Sequence, residues 1–145
     1  MSAADIPQFV DTNVLIYAYD ESAGTKHTQA KQLLTELWQN RTGCVSIQVL
    51  QEFYVNVTQK VAKPLSSDVA MQIIRDLAAW EVHRPGTEDI ISAIQLQRRF
   101  QISFWDAMIL ASAIALQCEI VWSEDLNPGQ RYETVTVTNP FALST

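Results

Sequence analysis

The sequence predicts an α/β fold in which a central, mainly parallel sheet is flanked by helices on both faces. Three observations carry that expectation. Short apolar runs of strand length alternate with longer segments of helical period, the pattern of strand–helix–strand units. Hairpin turn signals are lacking, which favours parallel pairing. The 145 residues, 48% hydrophobic and 18% charged, suit one domain over 1–145 that buries roughly two thirds of its unfolded surface. Repeats, linkers and low-complexity stretches are absent from the sequence.

Taken in order, residues 8–11 read as a short buried strand, after which Thr12 caps a brief helix to about residue 19. Residues 20–24 are a polar break. A second helix spans about 26–40, with Ala30, Leu33, Leu34, Leu37 and Trp38 at the spacing of one buried face. Gly43 stops it before a brief strand over 44–46. A third helix, roughly 47–61, is expected to bury Ile47, Leu50, Tyr54 and Val57, and Pro64 closes that segment. Ser66 or Ser67 caps a fourth helix whose stripe is Val69, Ala70, Ile73, Ile74, Leu77 and Trp80.

Residues 81–83 form a strand ended by Pro85-Gly86. Thr87-Glu88-Asp89 starts a fifth helix with acids in its first turn, and Arg98-Arg99 lie in its last, both suited to the helix dipole. A sixth helix over about 104–117 is apolar all round and therefore central. Ala107, Ala111, Ser112, Ala113 and Ala115 keep it slim enough for close neighbours. Residues 119–122 form a strand, 123–130 a loop with Asn127-Pro128-Gly129, and 134–137 a last strand.

The net charge of −6 argues against a broad basic face, yet it leaves open an acidic cleft that a bound cation neutralises. The pairs Lys60/Lys63 and Arg98/Arg99, and Lys26, His27 and Lys31, read as solvated helix faces. Residues 1–5 lack the basic and apolar regions of a secretory signal. The longest apolar stretch, 107–116, carries Ser112 and is too short to span a bilayer. Cys44 and Cys118 form no CxxC and read as two reduced, buried thiols of a cytoplasmic protein.

Four acids stand where acids are out of place. Asp11 ends the apolar run Gln8-Phe9-Val10. Glu52 interrupts the helical face of the third helix, Asp106 opens an almost wholly apolar helix, and Asp125 follows Ile120-Val121-Trp122 after Ser123-Glu124. Each has an ordinary competing role: a cap or turn for Asp11, a solvated helix position for Glu52, a first-turn acid for Asp106, a turn for Asp125. In open α/β sheets, however, ligands bind beyond the carboxyl ends of the strands, and that topology brings all four to one rim.

Two unit charges ~4 Å apart repel by about 4 kcal/mol at an effective dielectric of 20, against the ~5–15 kcal/mol that stabilises a domain. Converging carboxylates must share protons, with raised pKa values in a coupled titration, or recruit divalent cations. Oxygen-only ligands favour Mg²⁺, with Mn²⁺ as the alternative, over zinc. His27 and His83 are isolated in sequence and suit surface or strand-end roles. Carboxylate-held Mg²⁺ is a common means of activating water against a phosphodiester.

Phe9-Val10-Asp11-Thr12-Asn13-Val14-Leu15, an acid after Ser46, Trp105-Asp106-Ala107, and Ile120-Val121-Trp122-Ser123-Glu124-Asp125 together resemble the PIN-domain ribonucleases. The match is closest to VapC-type toxins of toxin–antitoxin modules and covers nearly the whole chain. The resemblance implies a PIN-like three-layer α/β/α fold and Mg²⁺ held by the catalytic acids Asp11, Glu52, Asp106 and Asp125. It further implies Asn13 and Ser123 orienting waters or ligands beside them, with Thr12 capping the first helix. It also implies cleavage of RNA by a metal-activated water, a homodimer, and inhibition by a small antitoxin protein, with no membrane partner. Ser123 stands where Thr is frequent, Gln117-Cys118 where Gly is frequent, and Glu124 adds a fifth acid.

Three other readings stay open. A PIN-domain RNA-processing nuclease that is not a toxin shares the chemistry, and a non-catalytic RNA- or partner-binding module shares the fold. A phosphatase with Asp11 as nucleophile is disfavoured, because Asn13 occupies the place of its second Asp and no Lys follows Lys63.

Overall fold

The computed structural model describes residues 5–142. The signal-peptide reading on residues 1–4, like residues 143–145, lies outside them. The chain runs β1 (Gln8–Val10), α1 (Thr12–Tyr19), a 3₁₀ turn (Glu21–Ala23), α2 (Thr25–Asn40), β2 (Gly43–Ser46) and α3 (Ile47–Gln59). It continues through α4 (Ser67–Leu77), β3 (Glu81–His83), α5 (Thr87–Phe100), α6 (Phe104–Ala115), β4 (Ile120–Trp122), β5 (Arg131–Tyr132) and β6 (Val135–Thr138).

The sheet order is β3-β2-β1-β4-β6-β5. Pairings β1–β2, β1–β4, β2–β3 and β4–β6 are parallel, so the predicted mainly parallel sheet stands. Strand order reverses at β1, because β2 and β3 build outward on one side and β4 and β6 on the other. Such a reversal opens a crevice at the carboxyl edge. Val10 pairs with Trp122 in register, so Asp11 and Ser123 emerge side by side at that edge.

Phe9, Val10, Val45, Val121 and Val137 fill the sheet's part of the core. Helix α6 lies against β2, β4 and β6 with α5 packed on it, while α1 packs on α2 and α3, giving helix–sheet–helix layers. The slim central character expected of α6 holds: residues 107 through 113 are all buried.

Several details differ from expectation. Thr12 is not a cap: Asp11 is the N-cap of α1, its carboxylate accepting from the Thr12 N–H. Gly43 lies inside β2, and α2 ends instead at Arg41 in the left-handed conformation. Helix α3 buries Val49 and Phe53 with Leu50 and Val57, while Ile47 and Tyr54 are only partly covered. Val69 is exposed, and Trp80 is buried from beyond the end of α4. Ser66, one of the two expected caps, holds α4.

The sheet also contains an antiparallel hairpin, β5–β6, that the sequence conceals. Its turn places Glu133 at φ 56°, a conformation usually advertised by Asn or Gly, and β5 is only two residues long. Both cysteines are free and buried, as expected. Among the described residues no helix is long and apolar enough to cross a membrane.

Candidate active site

Asp11 leaves the sheet at the crevice, where its backbone N–H still donates to the carbonyl of Trp122 at 2.9 Å. The β-strand therefore fixes the Cα, and the turn into α1 aims the side chain across the carboxyl edge. One carboxylate oxygen accepts from the Thr12 N–H at 2.7 Å and the other from Ser123 Oγ at 2.8 Å. Ser123 Oγ in turn accepts the N–H groups of Asp125 at 3.1 Å and Leu126 at 3.3 Å. A single buried hydroxyl thus ties Asp11 to the turn that presents Asp125.

Asp11 is only 6% exposed. Burial pushes its carboxyl up from 3.8 to about 6; the Ser123 hydroxyl and the Thr12 N–H lower it, and Asp125 and Asp106 raise it. The repulsion expected from sequence is present but ranks below desolvation, since a charge removed from water is penalised even without like-charged neighbours.

Asp106 sits half-buried in the first turn of α6, where its N–H donates to the Ser103 cap at 3.1 Å. Its carboxylate makes no hydrogen bond or ion pair among the described residues, so helix capping does not occupy it. Glu52 is exposed on α3 yet oriented from two sides. Gln48 Nε2 donates to one oxygen at 2.8 Å and Thr12 Oγ1 to the other at 3.2 Å. Asp125 is exposed on the loop after β4.

Asp11, Asp106 and Asp125 are thus electrostatically coupled, and Glu52 joins Asp11 through Thr12. Among the described residues, no group of three or more acids is close enough to hold one ion. The expected four-acid pocket is therefore a looser rim, in which Asp106 and Asp125 raise the Asp11 carboxyl and Glu52 is reached through Thr12. Oxygen donors around one buried, high-pKa carboxylate nevertheless fit the chemistry of a hard divalent cation.

Asn13 Oδ1 accepts from the Glu124 N–H at 3.3 Å, while its buried Nδ2 lacks a partner among the described residues. The Glu124 carboxylate is engaged by other partners. It accepts from Tyr17 Oη at 2.9 Å and pairs with Lys26, whose ammonium also lies over the Tyr17 ring. His83 and His27 are structural: His83 Nδ1 lies 2.8 Å from Ser112 Oγ, and His27 Nδ1 2.9 Å from the Tyr17 carbonyl.

Sequence reasoning missed Thr12 as a bridge, Gln48, and the Tyr17–Glu124–Lys26 group. Gln48 was findable, because Gln and Glu four apart meet on a helix surface. Thr12 reaches Glu52 across 40 positions, and Glu124 reaches Tyr17 and Lys26 across 107 and 98, so none leaves a local trace.

Residues 9–131 match the PIN domain family. No curated protein matches the sequence. Among solved structures, the chain is similar to a toxin–antitoxin complex from Klebsiella pneumoniae, with a TM-score of 0.67 and 20% identity over 92% of this chain and 97% of that one. It is also similar to the sarcin–ricin loop cleaving toxin VapC20 of Mycobacterium tuberculosis, with a TM-score of 0.63 and 20% identity over 81% and 89%. A third is DNA-bound VapBC from Salmonella typhimurium, with a TM-score of 0.66 and 15% identity over 93% and 98%. At these identities the likeness is one of fold. The family match spans the strand that delivers Asp11, both acid-bearing helices and the turn that carries Asp125, and on that ground the chain belongs to the PIN domain family.

Proposed function

We propose that this protein is a divalent-cation-dependent endoribonuclease of VapC type, the toxin of a type II toxin–antitoxin module, acting in the cytoplasm. The observation that carries the reading is Asp11. It is buried at the crevice where the sheet reverses and electrostatically coupled to Asp106 and Asp125. Family membership and the toxin–antitoxin complexes among the similar folds support it.

Asp11 and Asp106 would hold the cation, Mg²⁺ or Mn²⁺, with Glu52 and Asp125 completing the set directly or through water. When bound, the ion supplies a more acidic water and neutralises charge on the phosphodiester. The chain's own groups supply orientation. Thr12 N–H and Ser123 Oγ each take one oxygen of Asp11, so its carboxylate plane is fixed before any ligand arrives. Gln48 and Thr12 do the same for Glu52. Asn13 holds the Glu124 backbone and hence the turn between Ser123 and Asp125. Such supports commonly matter 10- to 100-fold in metal affinity or activity.

The partners that follow are single-stranded or looped RNA as substrate, a second copy of the chain, and a small antitoxin that covers the acid rim. The test is incubation of the purified protein with total RNA, with Mg²⁺ and with chelator. Cleavage is expected only with the metal and is expected to be abolished in an Asp11→Ala/Asp106→Ala variant. Undiminished cleavage by that variant would reject the assignment.

A further inference from the structure

Trp105, adjacent in sequence to Asp106, is 64% exposed, the only exposed aromatic among the described residues. Its position is not a general property of α6. Met108, Ile109 and Ser112, one and two turns further along the same side, are all buried. At the carboxyl edge of the sheet this side of the helix emerges into solvent, and the next two turns are covered. Leaving a large indole there forgoes the burial that aromatic side chains otherwise find in this chain.

The indole is also held in place. Phe104 packs edge-on against it at a centroid distance of 5.1 Å, and the Trp105 carbonyl accepts from Gln48 Nε2 at 3.4 Å. That same amide nitrogen donates to Glu52. One side chain therefore bridges the Trp105 backbone to an acid of the rim and keeps this turn of α6 beside Glu52. A flat, neutral, anchored ring beside an acidic rim solves a specific problem. The protein carries net charge −6, so phosphate attraction alone binds a polyanion poorly, whereas base stacking works irrespective of charge.

We propose that Trp105 is a stacking platform for an unpaired base next to the scissile phosphate, and so selects single-stranded over paired RNA at this site. The inference rests on the nuclease reading above. In a duplex the base faces are already stacked on one another and unavailable to the ring.

The test uses the full-length protein and a fluorescein-labelled single-stranded RNA 20-mer, alone or annealed to its complement. Binding is followed by anisotropy in Ca²⁺, and cleavage in Mg²⁺. Trp105→Ala is expected to raise Kd and KM for the single strand by about 5- to 150-fold, the range of one lost base–aromatic stack. Its kcat should change far less, and Trp105→Phe should recover most of the affinity. The factor should persist at high salt, since phosphate contacts are screened and stacking is not. Equal Kd for wild type and Trp105→Ala with cleavage intact would overturn the inference and leave the nuclease reading standing. The same follows if Trp105→Ala instead changes oligomeric state while RNA affinity holds, which would make the indole a protein contact. Strand binding that depends on Trp105 without cleavage in any divalent metal would sink the nuclease reading and keep the platform. Absence of both binding and cleavage in the wild type would sink both.

Discussion

Asp11 is buried, its carboxylate lies between two hydrogen-bond donors, and burial pushes that carboxyl up from 3.8 to about 6. The folded state therefore binds more protons than the unfolded chain between those two values. Stability from this group is fully present below the unfolded pKa and is lost as pH rises through about 6. The shift corresponds to about 3 kcal/mol. In chelator, the wild-type Tm should fall relative to Asp11→Asn by several degrees between about pH 4 and pH 7, because the amide cannot ionise. Parallel Tm curves for the two proteins would show that Asp11 does not carry this load. Asn keeps an oxygen for the Thr12 N–H but sets an amide N–H against the Ser123 hydroxyl that donates to Asp11; that loss is the same at every pH, so the charge is read from the slope of Tm with pH. Sequence alone marked Asp11 as an acid in the wrong place; only the buried position shows that desolvation outranks its acidic neighbours.

Among the elements, β2 shows how closely layers approach. Gly43 lies against the ring of Trp80, and a Cβ built there would come within 2.5 Å of it. Trp80 also stacks edge-on with Trp38 from α2 at 5.4 Å, so the ring has little room to retreat. Gly43→Ala is expected to destabilise the fold by about 1–3 kcal/mol or more through overpacking, read as a lower denaturant midpoint at unchanged m-value. An unchanged midpoint would mean that Trp80 moves freely. Existence and order of the long helices were legible from their 3.6-residue period, as in α2 with Leu34 and Leu37 on one buried face. Which side faces inward was less so, because α3 offers Ile47, Leu50 and Tyr54 as plausibly as Val49 and Phe53, and the packing of α1 and β2 makes the choice. Ends were harder still. Arg41, Gln101 and Gln117 all take left-handed backbone at helix ends, where Gly is the usual signal.

For the whole molecule, the reversal of strand order at β1 brings Asp106 and Asp125 within electrostatic reach of Asp11, and a divalent ion should stabilise that arrangement. Saturation at a hundred times Kd stabilises the folded state by about 2.7 kcal/mol. The Tm gain with Mg²⁺ should be larger near pH 8 than near pH 5, because a protonated Asp11 is a poor ligand. Asp11→Asn/Asp106→Asn should remove the gain. If the double variant keeps it, or if K⁺ at matched ionic strength reproduces it, the ion acts elsewhere.

By itself the sequence determined the alternation of strands and helices, the central place of α6, and Asp11 as an acid whose surroundings contradict its charge, whereas Glu52 and Asp125 are exposed. Those features are local: they follow from side-chain period and from the cost of an acid among apolar neighbours. Tertiary structure decided the rest. It made Asp11 its own helix cap, freed Thr12 to reach Glu52, and hid a hairpin behind a Glu at positive φ. It also withdrew Glu124 into a pair with Lys26 and Tyr17, and left Trp105 bare at the lip. Contacts between residues a hundred positions apart depend on how layers dock, and docking is a property of the assembled sheet rather than of any segment within it.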